Sequence, residues 1–417
     1  MGMASDDDAV AIQVAKRAGE PSVITVNCTD EAGLGCEFCS TILEFGLCIT
    51  RADLTTDGQW CYAVFWVVPC AASSGIHWMS LKNRLISICP SCTFPFYFDP
   101  VIQRSSSQVY LLSLFSNDRK GLLHDVTRVL CELGLLIHRV KVSTTPDGKV
   151  VDLFFVTDTM ELLHTKKRQD ETYERLSAVL QESLSSCEIV LAEGFQNGFS
   201  CLPPEVAEKL FSMELSDSEF CSQNLTPDMK RLKKAEVKID NSLCSSSTLL
   251  QIHCVDQKGL LYDIMRMLND FKIKIAYGRY MSHLKGSQEI DLFIQQTDGK
   301  KITDPDKLNI LCSRLKSEML RPLRVMIVNR GPDIELLVAN PVELSGKGRP
   351  RVFYDSTLAL KVLGICIFSA EIGRHSSSDR QWEVYRFLLV DSTEFPLASS
   401  HSRNQIVDRV RRTLMGW

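Results

Sequence analysis

Residues 121–142 read GLLHDVTRVLCELGLLIHRVKV, and this stretch predicts a helix followed directly by a strand. Val126, Val129 and Leu130 recur at the spacing of a helix with one apolar face. Gly134 follows the last helical apolar residue, where a left-handed residue commonly ends a helix. Beyond it the apolar residues alternate with a period of two, which is typical of a strand.

The same helix–turn–strand unit occurs four times in the chain. The other copies begin at Gly33, Gly259 and Arg351, and the fourth matches more weakly than the rest. A strand precedes each helix, and a turn and a second strand follow the first pair. A second amphipathic helix then completes the pattern in the second and third copies.

Short strands near residues 93–98, 187–192 and 323–329 are expected to close the first three copies. Each copy then reads β-α-β-β-α-β, the ferredoxin-like arrangement, so the predicted fold class is α+β with helices on one face of antiparallel sheets. The fourth copy has Arg351 in place of the repeated glycine, and its closing strand is expected to be missing.

The limits of the repeats follow from this pattern. The repeated glycine position advances from 33 to 121 (88 residues), from 121 to 259 (138 residues) and from 259 to 351 (92 residues). This spacing predicts that copies one and two form one pair and copies three and four another, with a linker between the pairs. The predicted limits are 20–100 for repeat one, 107–193 for repeat two, 194–247 for the linker, 248–330 for repeat three and 333–417 for repeat four.

The phrase Asp-x-x-Gly-Leu-Leu-x-Asp, at residues 118–125 and 256–263, resembles the signature of the ACT domain, a regulatory ligand-binding module. The four-copy layout is similar to the plant ACT-domain-repeat family, which is related to the sensor region of bacterial uridylyltransferases. The resemblance covers about residues 20–417. It implies domains that pair side by side, join their sheets and hold an amino acid at the interface, with glutamine as the first candidate.

The loop before each first helix is the expected binding site. It leads into a helix N-terminus, where unpaired N–H groups and the helix dipole favour a carboxylate, and its aspartate can accept a hydrogen bond from an α-amino group. An alternative stays open, in which the aspartate only caps the helix and the glycine only forms the turn. The candidate ligand-binding residues are Asp30, Gly33, Leu34, Asp118, Gly121, Leu122, Asp256, Gly259 and Leu260.

Catalysis is not expected. Once the repeats and the linker are placed, no segment remains for a catalytic domain, and no phosphate-binding P-loop occurs. His124 and Asp125 superficially resemble a metal-binding pair, but they lie inside the repeated helix, where the third copy has Tyr262. The sequence therefore predicts a protein that is not an enzyme and has no cofactor.

The 16 cysteines are expected to be reduced thiols, many of them packing as small apolar residues, as Cys48 does in an apolar run. Cys36 and Cys39, with Cys89 and Cys92, have the spacing of a zinc site. Their surroundings favour a helix and a strand over the turns of a zinc knuckle, so no metal site is predicted.

The formal net charge of -4 argues against nucleic acid as a partner, and the absence of a long apolar run argues against a membrane. The acidic start of the chain predicts a cytoplasmic protein, with the nucleus left open. The predicted function is regulatory binding of an amino acid, with a protein partner and homo-oligomerisation both open. The alternative is an interaction scaffold without a ligand, for which the aromatic strand at residues 60–66 is a candidate surface.

Overall fold

The computed structural model describes residues 9–17, 19–70, 75–90, 108–211, 232, 235–283, 286–342, 346, 348–377, 380–390 and 396–417. The chain divides into two compact units, and each is built from two separate stretches of sequence. Unit 1 contains Met1–Phe96 and Met213–Pro322, and unit 2 contains Tyr97–Ser212 and Leu323–Trp417.

The strands alternate apolar and polar residues, as half-buried strands do. In chain order they are β1 (Val10–Gln13), β2 (Ser22–Thr29), β3 (Leu47–Thr56), β4 (Trp60–Pro69), β5 (Tyr110–Asn117), β6 (Leu135–Thr144), β7 (Lys149–Asp158), β8 (Leu184–Leu191), β9 (Glu236–Asp240), β10 (Thr248–Val255), β11 (Lys274–Ser282), β12 (Ser287–Gln295), β13 (Arg324–Arg330), β14 (Asp333–Pro341), β15 (Ile367–Ser376) and β16 (Gln381–Leu389).

The helices of the described residues are α1 (Leu34–Glu44), α2 (Trp78–Ile88), α3 (Leu122–Glu132), α4 (Lys166–Leu180), α5 (Pro204–Phe211), α6 (Leu260–Asp270), α7 (Pro305–Leu320), α8 (Val352–Val362) and α9 (Ser400–Met415). The first helix of every repeat follows a left-handed residue, which is Gly33, Gly121, Gly259 or Arg351. Gly134 is also left-handed, at φ 72°, and it ends α3 as the sequence predicted.

Each unit contains one eight-stranded antiparallel sheet made from two repeats. The strand order is β1-β2-β4-β3-β11-β12-β10-β9 in unit 1 and β13-β14-β16-β15-β6-β7-β5-β8 in unit 2. The two repeats of a unit join through the strand that follows their first helix, β3 with β11 in unit 1 and β6 with β15 in unit 2. The predicted α+β class, with paired repeats and joined sheets, is confirmed.

The predicted choice of partners is wrong. Repeat one pairs with repeat three, and repeat two pairs with repeat four. Spacing along the chain measures only which repeats are close in sequence, whereas the joining strands are edge strands whose hydrogen bonds any other edge strand can satisfy. The limits assigned to the individual repeats stay a prediction.

The outer edge strands also differ from expectation. Strand β8 follows repeat two, as predicted, and pairs with β5. Strand β13 was expected to close repeat three, but it pairs with β14 of repeat four, which therefore has its edge strand. Strands β1 and β9 hold the corresponding edges of unit 1 and precede their repeats in the chain. The strand expected near residues 93–98 lies outside the described residues.

Helices cover one face of each sheet and bury a separate apolar core in each unit. In unit 2, part of the predicted linker covers the opposite face. Leu210 of α5 is 1% exposed and packs in a cluster with Leu337 and Trp382, and the Phe195 ring lies 5.1 Å from that of Phe155. This stretch is therefore a packed part of unit 2 and not a free tether.

One pair of cysteines departs from the expected reduced state. Cys48, at the start of β3, forms a disulfide with Cys70, one residue after the end of β4. Because Leu47 and Pro69 are cross-strand partners, this hairpin already brings the two cysteines together. In the described part of the chain, no helix is both long enough and apolar enough to span a bilayer.

Candidate functional site

The loop before α3 opens onto a cavity inside unit 2, between repeats two and four. Asp118, Gly121 and Leu122 of the predicted site all line it. The concavity is about 390 Å³ when the open solvent at its mouth is counted, and about 20 Å³ of it admits the centre of a water molecule. The other lining residues are Arg119, Leu123, His124, Val142, Val150 and Asp152 of repeat two and Thr357, Lys361, Ile365 and Ile367 of repeat four.

Gly121 brings the loop into close contact with repeat four. Its φ of 77° lies in the left-handed region, and a Cβ at this position would lie 2.9 Å from both Cγ and Cδ of Lys361. A larger residue would therefore meet both backbone strain and a steric clash. Glycine lets the aliphatic part of the Lys361 side chain pack directly against the start of α3.

Asp152 is the most unusual residue of the cavity. It occupies an inward-facing position of β7, is 1% exposed, and neither of its carboxylate oxygens has a hydrogen-bond partner among the described residues. Burial, reinforced by the negative charge of Asp118, raises the pKa of Asp152 to about 7. The sequence analysis missed this residue, although an aspartate at an inward position between Val150 and Phe154 is itself a signal of a functional acid.

Asp118 is the second carboxylate of the cavity. Its own N–H donates to the Gly148 carbonyl at 2.7 Å, which fixes the loop to the turn before β7. Partial burial of the carboxylate raises the pKa of Asp118, and a hydrogen bond from the Arg119 backbone opposes that shift. The N-cap residue of α3 is Gly121, without a side-chain capping bond, so Asp118 does not occupy the N-cap position that the alternative interpretation assigned to it.

Two cations lie on the other side of the loop. Lys361 Nζ is 2.6 Å from Asp125 Oδ1, and Arg119 Nη1 is 2.7 Å from Asp125 Oδ2. Burial would raise the pKa of Asp125, but the hydrogen bonds from Lys361 and Arg119 outweigh it, and the net shift is downward. Asp125 thus links repeat two to repeat four through an ion pair with Lys361.

A neutral histidine completes the contact between α3 and α8. His124 Nδ1 lies 3.2 Å from Thr357 Oγ1, and the imidazole ring is 5.0 Å from that of Tyr354. Burial, with the positive charge of Lys361 as the next contribution, lowers the pKa of His124 to about 4. The imidazole is therefore uncharged at neutral pH, whereas Asp125, whose pKa is lowered, and the two cations that contact it are ionised.

The predicted aspartates of repeats one and three are engaged by side chains of their own repeats. Asp30 accepts a hydrogen bond from Thr56 Oγ1 at 2.7 Å, and Asp256 accepts one from Gln288 Nε2 at 2.7 Å. Each carboxylate is thus engaged inside its own repeat. Gly33, Leu34, Gly259 and Leu260 lie at the starts of α1 and α6, and both leucines are buried.

Strand register identifies the residues equivalent to Asp152. In every repeat, the two strands that follow the first helix form a hairpin with a register shift at the same place. The residue three positions before the shift on the second strand is Ala63 in repeat one, Asp152 in repeat two, Ile290 in repeat three and Tyr385 in repeat four. Tyr385 fills its position in repeat four, where its hydroxyl donates to Glu383 and accepts from Asn340 Nδ2 at 3.2 Å. Among these four positions, a carboxylate is present only in repeat two.

The four cysteines weighed as zinc ligands are described only in part. Cys36 and Cys39 are buried in α1, and Cys92 lies outside the described residues. Within the part of the chain that is described, no cluster of three or more histidine, cysteine, aspartate or glutamate side chains could hold a metal ion.

Family models match most of the chain. The ACR10 N-terminal model matches residues 12–90, the ACT domain model 110–172, the ACR9-like ACT-like domain model 236–333 and the ACR9 C-terminal model 334–416. ACT domains are in general regulatory modules that bind amino acids.

Similar proteins agree with these matches. The ACT domain-containing protein ACR9 of Arabidopsis thaliana is 60% identical over 99% of both chains. The ACT domain-containing protein ACR10 of the same plant is 49% identical over 100% of both. Part of a bifunctional uridylyltransferase/uridylyl-removing enzyme of Azospirillum brasilense is 22% identical, over 51% of this chain and 20% of the enzyme. The chain therefore belongs to the family of plant ACT-domain repeat proteins that includes ACR9 and ACR10.

Proposed function

We propose that this protein is a non-catalytic regulatory protein that binds a free amino acid in the cavity of unit 2. The observation that carries the proposal is Asp152, a buried carboxylate that has no hydrogen-bond partner among the described residues and lies in a cavity headed by a helix N-terminus. A buried charge without a partner is costly, so a fold that keeps one generally uses it. An α-ammonium group is a partner of the right charge and size.

The two ends of an amino acid find complementary groups in this cavity. Asp152 and Asp118 supply negative charge for the ammonium group. The first turn of α3 supplies backbone N–H groups and the positive end of the helix dipole for the carboxylate. Lys361, already held by Asp125, has further N–H donors that can reach the same carboxylate.

Little affinity is needed for a metabolite sensor. Binding near millimolar concentration corresponds to about 4 kcal/mol, and charge-assisted hydrogen bonds contribute about 1.5–3 kcal/mol each. Two or three contacts of the kind described above are therefore sufficient. Glutamine, the first candidate from the family resemblance, is the first ligand to test.

The decisive experiment is isothermal titration of the full chain with a panel of free amino acids, using the wild type and Asp152→Asn. We expect one or a few amino acids to bind, and the variant to lose affinity by about tenfold to a hundredfold because it removes a charge-assisted contact. Asp147→Asn, on the exposed turn before β7, is the matched control and should bind as the wild type does. Unchanged affinity in Asp152→Asn would exclude this cavity as the site.

A scaffold without a ligand is the second candidate function. Trp60 is 48% exposed and Tyr62 is 47% exposed on β4, and large apolar side chains at such exposure are common at protein interfaces. A flat response of the wild type across the whole amino-acid panel would favour this alternative. The following step would be to test whether Trp60→Ala weakens capture of a partner protein.

A further inference from the structure

The charged groups of the unit 2 cavity suit the two ends of any amino acid, so the side-chain preference must come from the remaining walls. The Thr357 hydroxyl is already engaged: it donates to the Tyr354 carbonyl at 2.9 Å and lies 3.2 Å from His124 Nδ1. Lys361 and Arg119 are held by Asp125. The Thr357 hydroxyl therefore has little capacity left to hydrogen-bond an amide side chain, and in the proposed pose the remaining N–H donors of Lys361 are directed to the ligand carboxylate.

The rest of the wall is aliphatic and lies next to Asp152. Val142 on β6 is the direct cross-strand partner of Asp152, and Val150 is two residues earlier on the same face of β7. Both are buried, at 2% and 3% exposure. Ile365 and Ile367 line the cavity from repeat four. An ammonium group at Asp152 would consequently place the adjoining carbon atoms of the ligand against branched aliphatic side chains.

We infer that the ligand is an aliphatic α-amino acid of the valine, isoleucine and leucine class, an inference that rests on the proposed function. A polar side chain in this position would lose its water without gaining hydrogen bonds, which disfavours binding. An aliphatic side chain would instead bury apolar surface against Val142 and Val150. The cavity chemistry thus points away from glutamine, the candidate that the family resemblance supplied.

Valine and threonine provide the sharpest comparison, because they have nearly the same shape and differ in one hydroxyl group. An apolar pocket discriminates between such isosteres by up to about a hundredfold. Isothermal titration of the full chain with L-valine, L-threonine and L-glutamine should give tenfold to hundredfold tighter binding of valine than of either polar amino acid.

Val150→Thr tests the wall itself. This isosteric change should weaken valine binding, because the new hydroxyl faces the ligand. The ratio of the affinity for valine to the affinity for threonine should fall by at least threefold. Val151→Thr is the matched control, because Val151 is the next residue of β7 and points to the opposite face of the sheet. In this variant the ratio of the affinities for valine and threonine should equal that of the wild type. Circular dichroism confirms that both variants fold.

The outcomes separate the two proposals. Tighter binding of valine, together with a lower valine-to-threonine affinity ratio in Val150→Thr but not in Val151→Thr, supports an aliphatic amino acid as the ligand. Binding of glutamine or threonine at or above the affinity for valine overturns the aliphatic class but leaves amino-acid binding in place. The absence of binding by any amino acid overturns both.

Discussion

Asp152 is 1% exposed, and no residue in the described part of the chain hydrogen-bonds its carboxylate, so its ionised form destabilises the fold. For Asp152 the folded pKa is about 7, well above the usual value of an aspartate, because burial disfavours the ionised form. Since the pKa of Asp152 is higher in the folded state, the contribution of this residue to stability is fully present below its unfolded pKa of about 3.9. That contribution is lost as the pH rises to about 7. Asp152 thus lowers stability in the pH range in which a ligand ammonium can compensate its charge.

Replacing Asp152 by Asn should therefore stabilise unit 2 at high pH. At pH 8 we expect the free energy of unfolding to rise by up to about 4 kcal/mol, because the pKa differs by about three units between the folded and unfolded states. Near pH 4 the wild type and the variant should differ little. Urea unfolding at both pH values measures the effect.

Asp147→Asn is the control, and its expected effect on the free energy of unfolding at pH 8 has the opposite sign. A hydrogen bond with the Thr145 side chain lowers the pKa of Asp147, so the ionised form stabilises the fold, and its replacement should weaken the fold slightly at pH 8. An Asp152→Asn variant that is less stable than the wild type at pH 8 would contradict the description of Asp152 as an uncompensated buried acid.

Gly121 and Gly148 form a matched pair for testing the contact between the loop and Lys361. Their φ angles are 77° and 76°, but an added Cβ meets Lys361 only at Gly121 and has nothing within 4 Å at Gly148. Alanine at either site should lose about 1–2 kcal/mol from left-handed strain, and Gly121→Ala should lose more than Gly148→Ala because the Lys361 side chain must shift away from its contact with the loop. Thermal unfolding of both variants measures the difference, and equal destabilisation would exclude the close contact.

At the scale of elements, the junction of β6 with β15 defines the cavity, because it places repeat four beside repeat two. Ser143 and Ser369 are direct cross-strand partners at this junction. We expect the double variant Ser143→Cys, Ser369→Cys to form a disulfide under mild oxidation, since paired positions on neighbouring strands lie within reach of one. Peptide mapping by mass spectrometry without reduction detects the bond.

The control for this cross-link is Ser113→Cys with Ser369→Cys. Ser113 lies on β5, and β6 and β7 separate this strand from β15 in the sheet of unit 2, so the two cysteines would be beyond the reach of a disulfide. A cross-link in this control, and none in the Ser143 variant, would show that the repeats combine differently.

The switch from helical to alternating periodicity was enough to predict the repeated elements, because both patterns are local. The partners of the repeats could not be predicted from it, since a β-strand edge is specified by backbone groups that every sequence has. A local signal was nevertheless available for β13. Gly331 and Pro332 form a two-residue connection between β13 and β14, as in a tight hairpin, and this favours assigning β13 to repeat four.

The candidate site was predictable in part for the same reason. Asp118, Gly121 and Leu122 belong to a motif that recurs along the sequence, so the repeat comparison found them. The positions equivalent to Asp152 and Lys361 hold residues of different chemistry in the other copies. For Asp152 these residues include Ala63 in repeat one and Ile290 in repeat three. A comparison of repeats finds what the copies share and misses what one copy has acquired.

At the scale of the whole molecule, the proposed ligand should stabilise only the unit that holds it. At one hundred times its Kd, a ligand adds about 2.7 kcal/mol to the stability of the folded state that binds it. We therefore expect hydrogen exchange to slow in α3 and β7 when ligand is added, while α1 and β4 of unit 1 exchange as before. Equal protection of both units would contradict a site formed by unit 2 alone.

The pairing of repeat one with repeat three and of repeat two with repeat four also determines which fragments of the chain can fold alone. Each unit takes one repeat from the first half of the sequence and one from the second, so neither half contains a complete sheet. During synthesis, unit 1 must wait until residue 322 has been made and unit 2 until the last residues emerge. For the same reason, a chain cut between residues 212 and 213 would not release two independent domains. The fragments would stay together as a noncovalent complex, joined through two separate sheets.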